Sequence, residues 1–346
     1  MMDILNVFTG DAFGMMALTE VVMDITPQYG RLTALGLFQD EGVSQRVIAV
    51  DFDTATNVLL PQTRWGGPPP ANKSGKAKTK GFSIPHFPIV DELLASDLQG
   101  RRRPGSDMVQ DAQYATAKKL GEMKRKLEQT GEWMRLGVLK GGLVQDGLGA
   151  TILDIYTDFG LTQDSTSMVF ATTTTDILGK IAGVKRVIQQ ALRGEMMTNF
   201  VALCSDTFYD ALVSHANVKI AFTYFQNNGQ TLNQDFSGGS APAELVKGFQ
   251  FGGVTWLNYT GSVSDSNGNV QLMIDAGSAY MFPMGTQSFK VWYAPADYME
   301  TVNTEGLPFY AKQERMKYDK GIEMECQSNL LPICLKPKII QKLTIA

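Results

Sequence analysis

An α+β fold built around one long helix is what this sequence predicts, and three observations carry that expectation. From about residue 106 to 140 apolar side chains recur at helical spacing with Lys and Glu mostly opposite. Short β-rich runs bounded by turn dipeptides occupy 47–52, 143–159 and 249–289. From Thr175 onward helical and strand-like runs are mixed, and no internal repeat of fixed period is visible.

In chain order, "DAFGMMALTEVVMDIT" places Phe13, Met16, Leu18, Val21, Val22 and Ile25 at roughly helical spacing, which predicts a short amphipathic helix. After the turn at Pro27–Gly30, "RLTALGLFQDEGVSQRVIAVDF" ends in a strand from Val47 to Phe52. Next comes "RWGGPPPANKSGKAKTKGF" at 64–82, with three prolines, four glycines, five basic residues and no acid. From Thr54 to Val90 the basic residues are Arg64, Lys73, Lys76, Lys78 and Lys80, so the stretch carries +5. Apolar flanks on both sides predict two strands returning from a polar tip, a long hairpin that needs something else to cover its edges. As a nucleic-acid arm it has only Trp65 and Phe82 for stacking, and the remainder of the chain is acidic. As an arm that docks on an acidic neighbour it explains both the charge and the apolar flanks.

"GRRRPGS" at 100–106 punctuates the chain and offers Ser106 as a helix cap. Met108, Ala112, Ala115, Leu120, Met123, Leu127, Met134 and Val138 form the stripe of the long helix, which stops at Gly141–Gly142. Gly121 and Gly131 each weaken it by about 1 kcal/mol relative to Ala, so either can host a bend. "LVQDGLGATILDIYTDFG" follows as a hairpin turning at Asp146–Gly147. Then "DILGKIAGVKRVIQQALRG" predicts a helix ending at Gly194, "NFVALC" a buried strand, and "SDTFYDALVSHANVKIAFTYF" one or two helices capped by Ser205. A polar loop spans 227–242, and an Asn267–Gly268 turn joins strands at Val263 and Leu272.

Composition narrows function. A chain of 346 residues with 44 % hydrophobic content can bury a sizeable core and, by length, suggests about two domains. A net charge of −4 gives no global pull toward nucleic acid or anionic membrane. No apolar run is long enough for a bilayer, and the start "MMDILNVFTGDAFG" lacks the basic region of a secretory signal. Three cysteines in a long chain predict free thiols in a reducing cytoplasm. Cys204 precedes a helix start, where a thiolate can be stabilised, but nothing local supplies a base. Cys326 and Cys334 have no nearby histidine for zinc, and His86, held between prolines, reads as a packing residue. "GVLKGGLVQDGLG" lacks the phosphate-loop signature. No catalytic, cofactor or metal site is predicted, and no enzyme.

"APADYMETVNTEGLPFYAKQE" and "GIEMECQSNLLPIC" resemble the closing segment of the major capsid proteins of lambda-type tailed bacteriophages, the lambda E protein family. "LGLFQDEGV", "FSIPHFPIVDELLASDLQGRRRPGS", "LKGGLVQDG" and "FVALCSDTFYDALVSHANVK" follow that family's order, so the resemblance spans nearly the whole chain. It implies the Hong Kong 97-type capsid fold, with an N-terminal arm at 1–45 and an extended loop at 46–92. A peripheral domain at 93–169 would hold a spine helix at about 106–140. An axial domain would follow at 170–300, and 301–346 would return to the peripheral domain. It implies a structural protein of the virion head, assembled in the bacterial cytoplasm as hexamers and pentamers around double-stranded DNA. Portal, scaffolding and decoration proteins are the implied partners, with no cofactor and no membrane. An encapsulin-like compartment shell is the alternative of the same architecture. On this reading Arg64, Lys73, Lys76, Lys78 and Lys80 contact a neighbouring subunit, and Gly121 and Gly131 are hinges of the spine helix. Arg101, Arg102 and Arg103 either pair across a capsomer boundary or form a solvated basic turn.

Overall fold

The computed structural model describes residues 15–24, 30–52, 78–98, 112–220, 233–235, 247–265 and 267–346. Its axis is the helix Ala112–Gly141, about 45 Å long at 1.5 Å per residue. It ends where the sequence places the stop, because Gly142 takes a left-handed φ of 66°. The start expected at about 106 and Met108 lie outside the described residues.

Around this axis the described strands form one sheet of seven, two of three and three pairs. The seven-stranded sheet runs Ser165–Met168, Gln341–Ile345, Ser278–Pro283, Phe200–Cys204, Val254–Asn258, Lys247–Phe251, Asn233–Asp235. Its central strand is "FVALC", buried at every position, paired parallel to Val254–Asn258 and antiparallel to Ser278–Pro283. Continuous burial is what a strand covered on both faces requires. Helices Ile177–Leu192 and Asp206–Ser214 bury Ile181, Val184, Ile188, Phe208 and Leu212 in the same core. Each has a side-chain cap: Gly179 N donates to Asp176 at 2.9 Å, and Phe208 N to Ser205 Oγ at 3.4 Å.

One three-stranded sheet joins Gln39–Gly42, Phe289–Tyr293 and Leu330–Cys334. The other joins Tyr310–Arg315, Gly321–Gln327 and Pro88–Leu94. Two cores result. The larger holds the seven-stranded sheet and Met134, Leu136, Val138 and Leu139 of the long helix. The smaller gathers Ala115, Leu120, Met123 and Leu127 of the same helix with Leu18 and Val22 of helix Met15–Asp24 and with Leu93, Ile322 and Met324.

Both sequence-read turns hold. The strands Leu143–Gln145 and Thr151–Asp154 pair around Asp146, whose carboxylate accepts from Leu148 N and Ala150 N. Ser262–Ser264 pairs with Val270–Leu272 across Asn267–Gly268. The first hairpin is shorter than its sequence suggests. After Asp154 the chain turns into the helix Ile155–Phe159, because Asp154 accepts from Thr157 N and Gly160 supplies a left-handed stop. The polar loop expected at 227–242 falls largely outside the described residues.

Candidate functional site

The nucleophile and metal candidates are spent on packing. Cys204 is fully buried in the central strand, and burial pushes its thiol well above the ordinary range. Cys326 and Cys334 lie in the two three-stranded sheets, both buried, both pushed up to about 12 by desolvation. All three are free thiols. His86 Nδ1 lies 2.9 Å from Asn329 Oδ1, tying the extended chain before Pro88 to the turn before Leu330. Among the described residues no group of three or more His, Cys, Asp or Glu is arranged to hold a metal ion.

The basic hairpin is rooted where its apolar flanks predict. Val47–Phe52 pairs antiparallel with Lys78–Ser83 through six consecutive partners, from Val47–Ser83 to Phe52–Lys78. Val50, Phe82 and Ile84 enter the large core, and Phe82 meets Phe159 edge-on at 6.2 Å. Lys80 forms an ion pair with Asp158 on the helix that the shortened hairpin made room for. So the root is held against its own subunit by aromatic packing and one charge pair. Lys78 belongs to the paired strand. Arg64, Lys73 and Lys76 lie outside the described residues, as do Arg101, Arg102 and Arg103.

Gly121 and Gly131 both lie inside one unbroken helix, and Gly131 sits where its two cores meet. A methyl at Gly131 would come within 3.3 Å of Arg135 Nη1 and 3.5 Å of Leu330 Cδ1. Next to it lies a polar belt. Glu132, 1 % exposed, accepts at Oε1 from Leu32 N and from the Tyr259 hydroxyl, both at 2.8 Å. Its other oxygen, Oε2, is buried without a partner among the described residues. Arg135 donates to the Tyr293 hydroxyl at 2.9 Å, which donates in turn to Asp40 at 3.3 Å. These links join the N-terminal segment, the long helix and two sheets at one level. Nothing in a single amphipathic stripe predicts a buried Glu132. The signal that could have found it is the density of "EWMRLGVLK", too apolar for a one-faced helix, which implies burial all round.

A groove of about 1000 Å³ opens on the other flank of this helix half, between it and the hairpins at 143–154 and 262–272. Trp133, Leu143 and Val263 line it together with Asp146, Asp154 and Asp265.

Residues 14–345 match the sequence model of a family described as phage major capsid protein E. The chain is 27 % identical over 333 residues to the major capsid protein of Pseudomonas phage KPP10, covering 94 % of this chain and 95 % of that protein. It is 24 % identical over 346 residues to the major capsid protein of Salmonella phage Felix O1, covering 93 % and 94 %. Its structure is similar to a prophage protein of E. coli CFT073, with a TM-score of 0.58 at 15 % identity over 96 % of this chain and 97 % of that one. It is also similar to the mature capsid of bacteriophage PhiM1, with a TM-score of 0.50 at 11 % identity over 93 % and 89 %. At such identities the likeness carries the fold, and the fold is the Hong Kong 97 type.

Proposed function

Because the chain belongs to the phage major capsid protein E family, we propose that its long helix, basic hairpin and two cores are the working parts of a shell subunit. The chain is a major capsid protein, a component of the phage head whose copies associate into the icosahedral shell. The observation that carries this is the family match, which runs from residue 14 to 345.

Copies form hexamers and pentamers, and the role is structural, without catalysis. The seven-stranded sheet is the axial domain, to which Gln341–Ile345 returns from the segment at 301–346. The remainder of 93–169 and 301–346 builds the peripheral domain on the long helix. The hairpin of 46–92 is rooted in its own subunit and extends its basic remainder over a neighbour. Assembly then draws on apolar burial at about 25 cal/mol per Å² together with charge complementarity. Modest individual contacts let errors dissociate, and closure makes the shell stable collectively. The acidic balance of the chain suits a container that must not hold double-stranded DNA tightly. Portal, scaffolding and decoration proteins are the partners this role implies.

Negative-stain microscopy and sedimentation of the purified chain, alone and co-expressed with its neighbouring phage genes, test the reading. Rings, capsomers or closed shells are expected; a monomer under every condition would overturn it. Lys80 is engaged by Asp158 in its own chain. The electrostatic part is therefore tested by reversing Lys73, Lys76 and Lys78 to Glu. That variant should fold and fail to assemble, and normal shells would remove charge from the account.

A further inference from the structure

We infer that the outer face of the sheet Pro88–Leu94, Gly321–Gln327, Tyr310–Arg315 is a docking surface for the arginine run Arg101–Arg103 of a second copy of this chain. The inference rests on the shell reading, which supplies the second copy, and goes beyond it by naming the receiving surface and the segment it takes.

Strand register carries it. Glu323 of the central strand stands directly opposite Glu92 on one side and Glu314 on the other. Directly opposed residues share one face of a sheet, so the three carboxylates form a row across it. With neighbouring strands about 4.8 Å apart, the row is about 10 Å long. All three glutamates are exposed, and none has an ion-pair partner among the described residues. Lysines close to the row are engaged elsewhere: Lys119 pairs with Asp91 at 2.7 Å, and Lys312 with Glu300 at 2.9 Å. The fold does not need the row, because Leu93, Ile322 and Met324 fill the small core from the other face. Like charges directly opposite one another destabilise a sheet. A cationic partner turns that cost into attraction.

The rest of the face also suits a partner. Val90, two positions before Glu92 on the same strand face, is 50 % exposed. At the covered end of the face, Tyr298 clusters with Tyr310 and is itself 9 % exposed. Its hydroxyl is buried without a hydrogen-bond partner among the described residues. Arginine offers five N–H donors in a planar fork that binds carboxylates two at a time and can also serve a hydroxyl. Arg101, Arg102 and Arg103 match the three carboxylates in number and carry no acid between them. Pro104 disfavours helical backbone at Arg103. Extended backbone sets Arg101 and Arg103 on one side, about 6.6 Å apart, within the length of the row.

Reciprocal charge exchange tests the pairing. One variant carries Glu92→Lys, Glu314→Lys and Glu323→Lys; the other carries Arg101→Glu, Arg102→Glu and Arg103→Glu. Alone, each should lose assembly roughly tenfold in sedimentation at low salt, where surface charges are least screened. Co-expressed, the two should recover most of it, because opposite charges then meet between unlike chains. Unchanged assembly in either variant, or a mixture no better than its parts, would overturn the inference. So would recovery only when all six substitutions share one chain, since the run would then dock on its own sheet. Glu323→Gln supplies a second readout. Relief of two like-charge contacts should raise the melting temperature of the unassembled chain by about 2 °C while assembly weakens several-fold. A melting temperature that stays or falls would overturn the inference by removing the repulsion it starts from. If the wild-type chain never exceeds a monomer in sedimentation, it is the shell reading itself that fails.

Discussion

The two halves of the long helix are chemically unlike, although they form one continuous element. From Ala115 to Leu127 the buried positions Ala115, Thr116, Leu120, Met123, Lys124 and Leu127 keep to one broad face, and Lys118, Glu122, Arg125 and Lys126 face outward. From Gly131 to Leu139 burial goes nearly all the way round, taking in Glu132, Met134, Arg135, Leu136, Val138 and Leu139. The first half lies on a small core shared with the N-terminal helix and one sheet; the second is enclosed by the large core. One helix thus belongs to two bodies with different amounts of packing, and the boundary falls at Gly131. A rod whose ends are anchored unequally concentrates any relative movement of those bodies where the packing changes.

Truncation inside the enclosed half tests this most severely. Met134 is 0 % exposed, and Met134→Ala should cost about 2–5 kcal/mol through lost burial and a residual cavity. Calorimetry should show the main transition fall. Leu120→Ala, in the half that rests on the small core, should loosen helix Met15–Asp24 first, seen as faster hydrogen exchange there. Equal and global effects of the two substitutions would erase the proposed distinction between the halves.

Glu132→Ala should come next. It strips the acceptor from Leu32 N and the Tyr259 hydroxyl together, and each buried unsatisfied group costs about 1–3 kcal/mol. Glu132→Gln keeps an acceptor oxygen and removes only the charge, so it should recover much of the melting temperature. If both variants fall equally, the charge matters rather than the hydrogen bonds.

Acid should reach the large core through Glu195, whose partner Lys336 also donates to Leu192 O. Burial alone would raise its carboxyl, but hydrogen bonds from Lys336, Ser288 and Gln287 N outweigh that and leave it lowered from 4.5. A group with a depressed folded-state pKa adds stability above its unfolded value, and that stability is lost as pH falls through the folded value. Wild-type stability should therefore erode below about pH 4.5, the ordinary carboxylate range. Glu195→Gln should flatten that part of the profile, and an identical acid profile in the variant would assign the loss to other carboxylates.

Much of this contrast was legible in sequence, for physical reasons. Local signals placed the hairpin turns, the strand Val47–Phe52, the Ser205 cap and the helix stop at Gly142, because each depends on residues a few positions apart. The stripe Ala115–Leu120–Met123–Leu127 was readable for the same reason. Long-range pairing was not: nothing near "FVALC" says that it lies between Ser278–Pro283 and Val254–Asn258. Glu132 was missed because a charge in a helix normally marks the solvent face. Here its partners, Leu32 and Tyr259, come from 100 and 127 positions away. The short helix at Ile155–Phe159 was hidden by β-prone residues that its Asp154 cap overrides.

The smallest expected effect is the most discriminating, and it compares two glycines of the same helix. A methyl at Gly137 would stand 2.6 Å from Leu143 O, which is backbone and cannot give way cheaply. Gly137→Ala should cost about 1–3 kcal/mol through overpacking, with no special effect on movement, since it lies within the enclosed half. At Gly131 the nearest atoms are side-chain ends of Arg135 and Leu330 at 3.3 and 3.5 Å. The crowding there is slight, and Ala gains about 1 kcal/mol in helix propensity over Gly, so the net change in stability should stay within about 1 kcal/mol. The family resemblance implies that assembled shells convert to an expanded form, and a stiffer boundary between the halves should instead slow that conversion, followed by light scattering. Gly131→Ala with unchanged stability and unchanged conversion would discard the hinge at that position. Slowed conversion in Gly131→Ala but not in Gly137→Ala would locate the bend at the junction of the two cores, where the packing of the helix changes from one face to all of them.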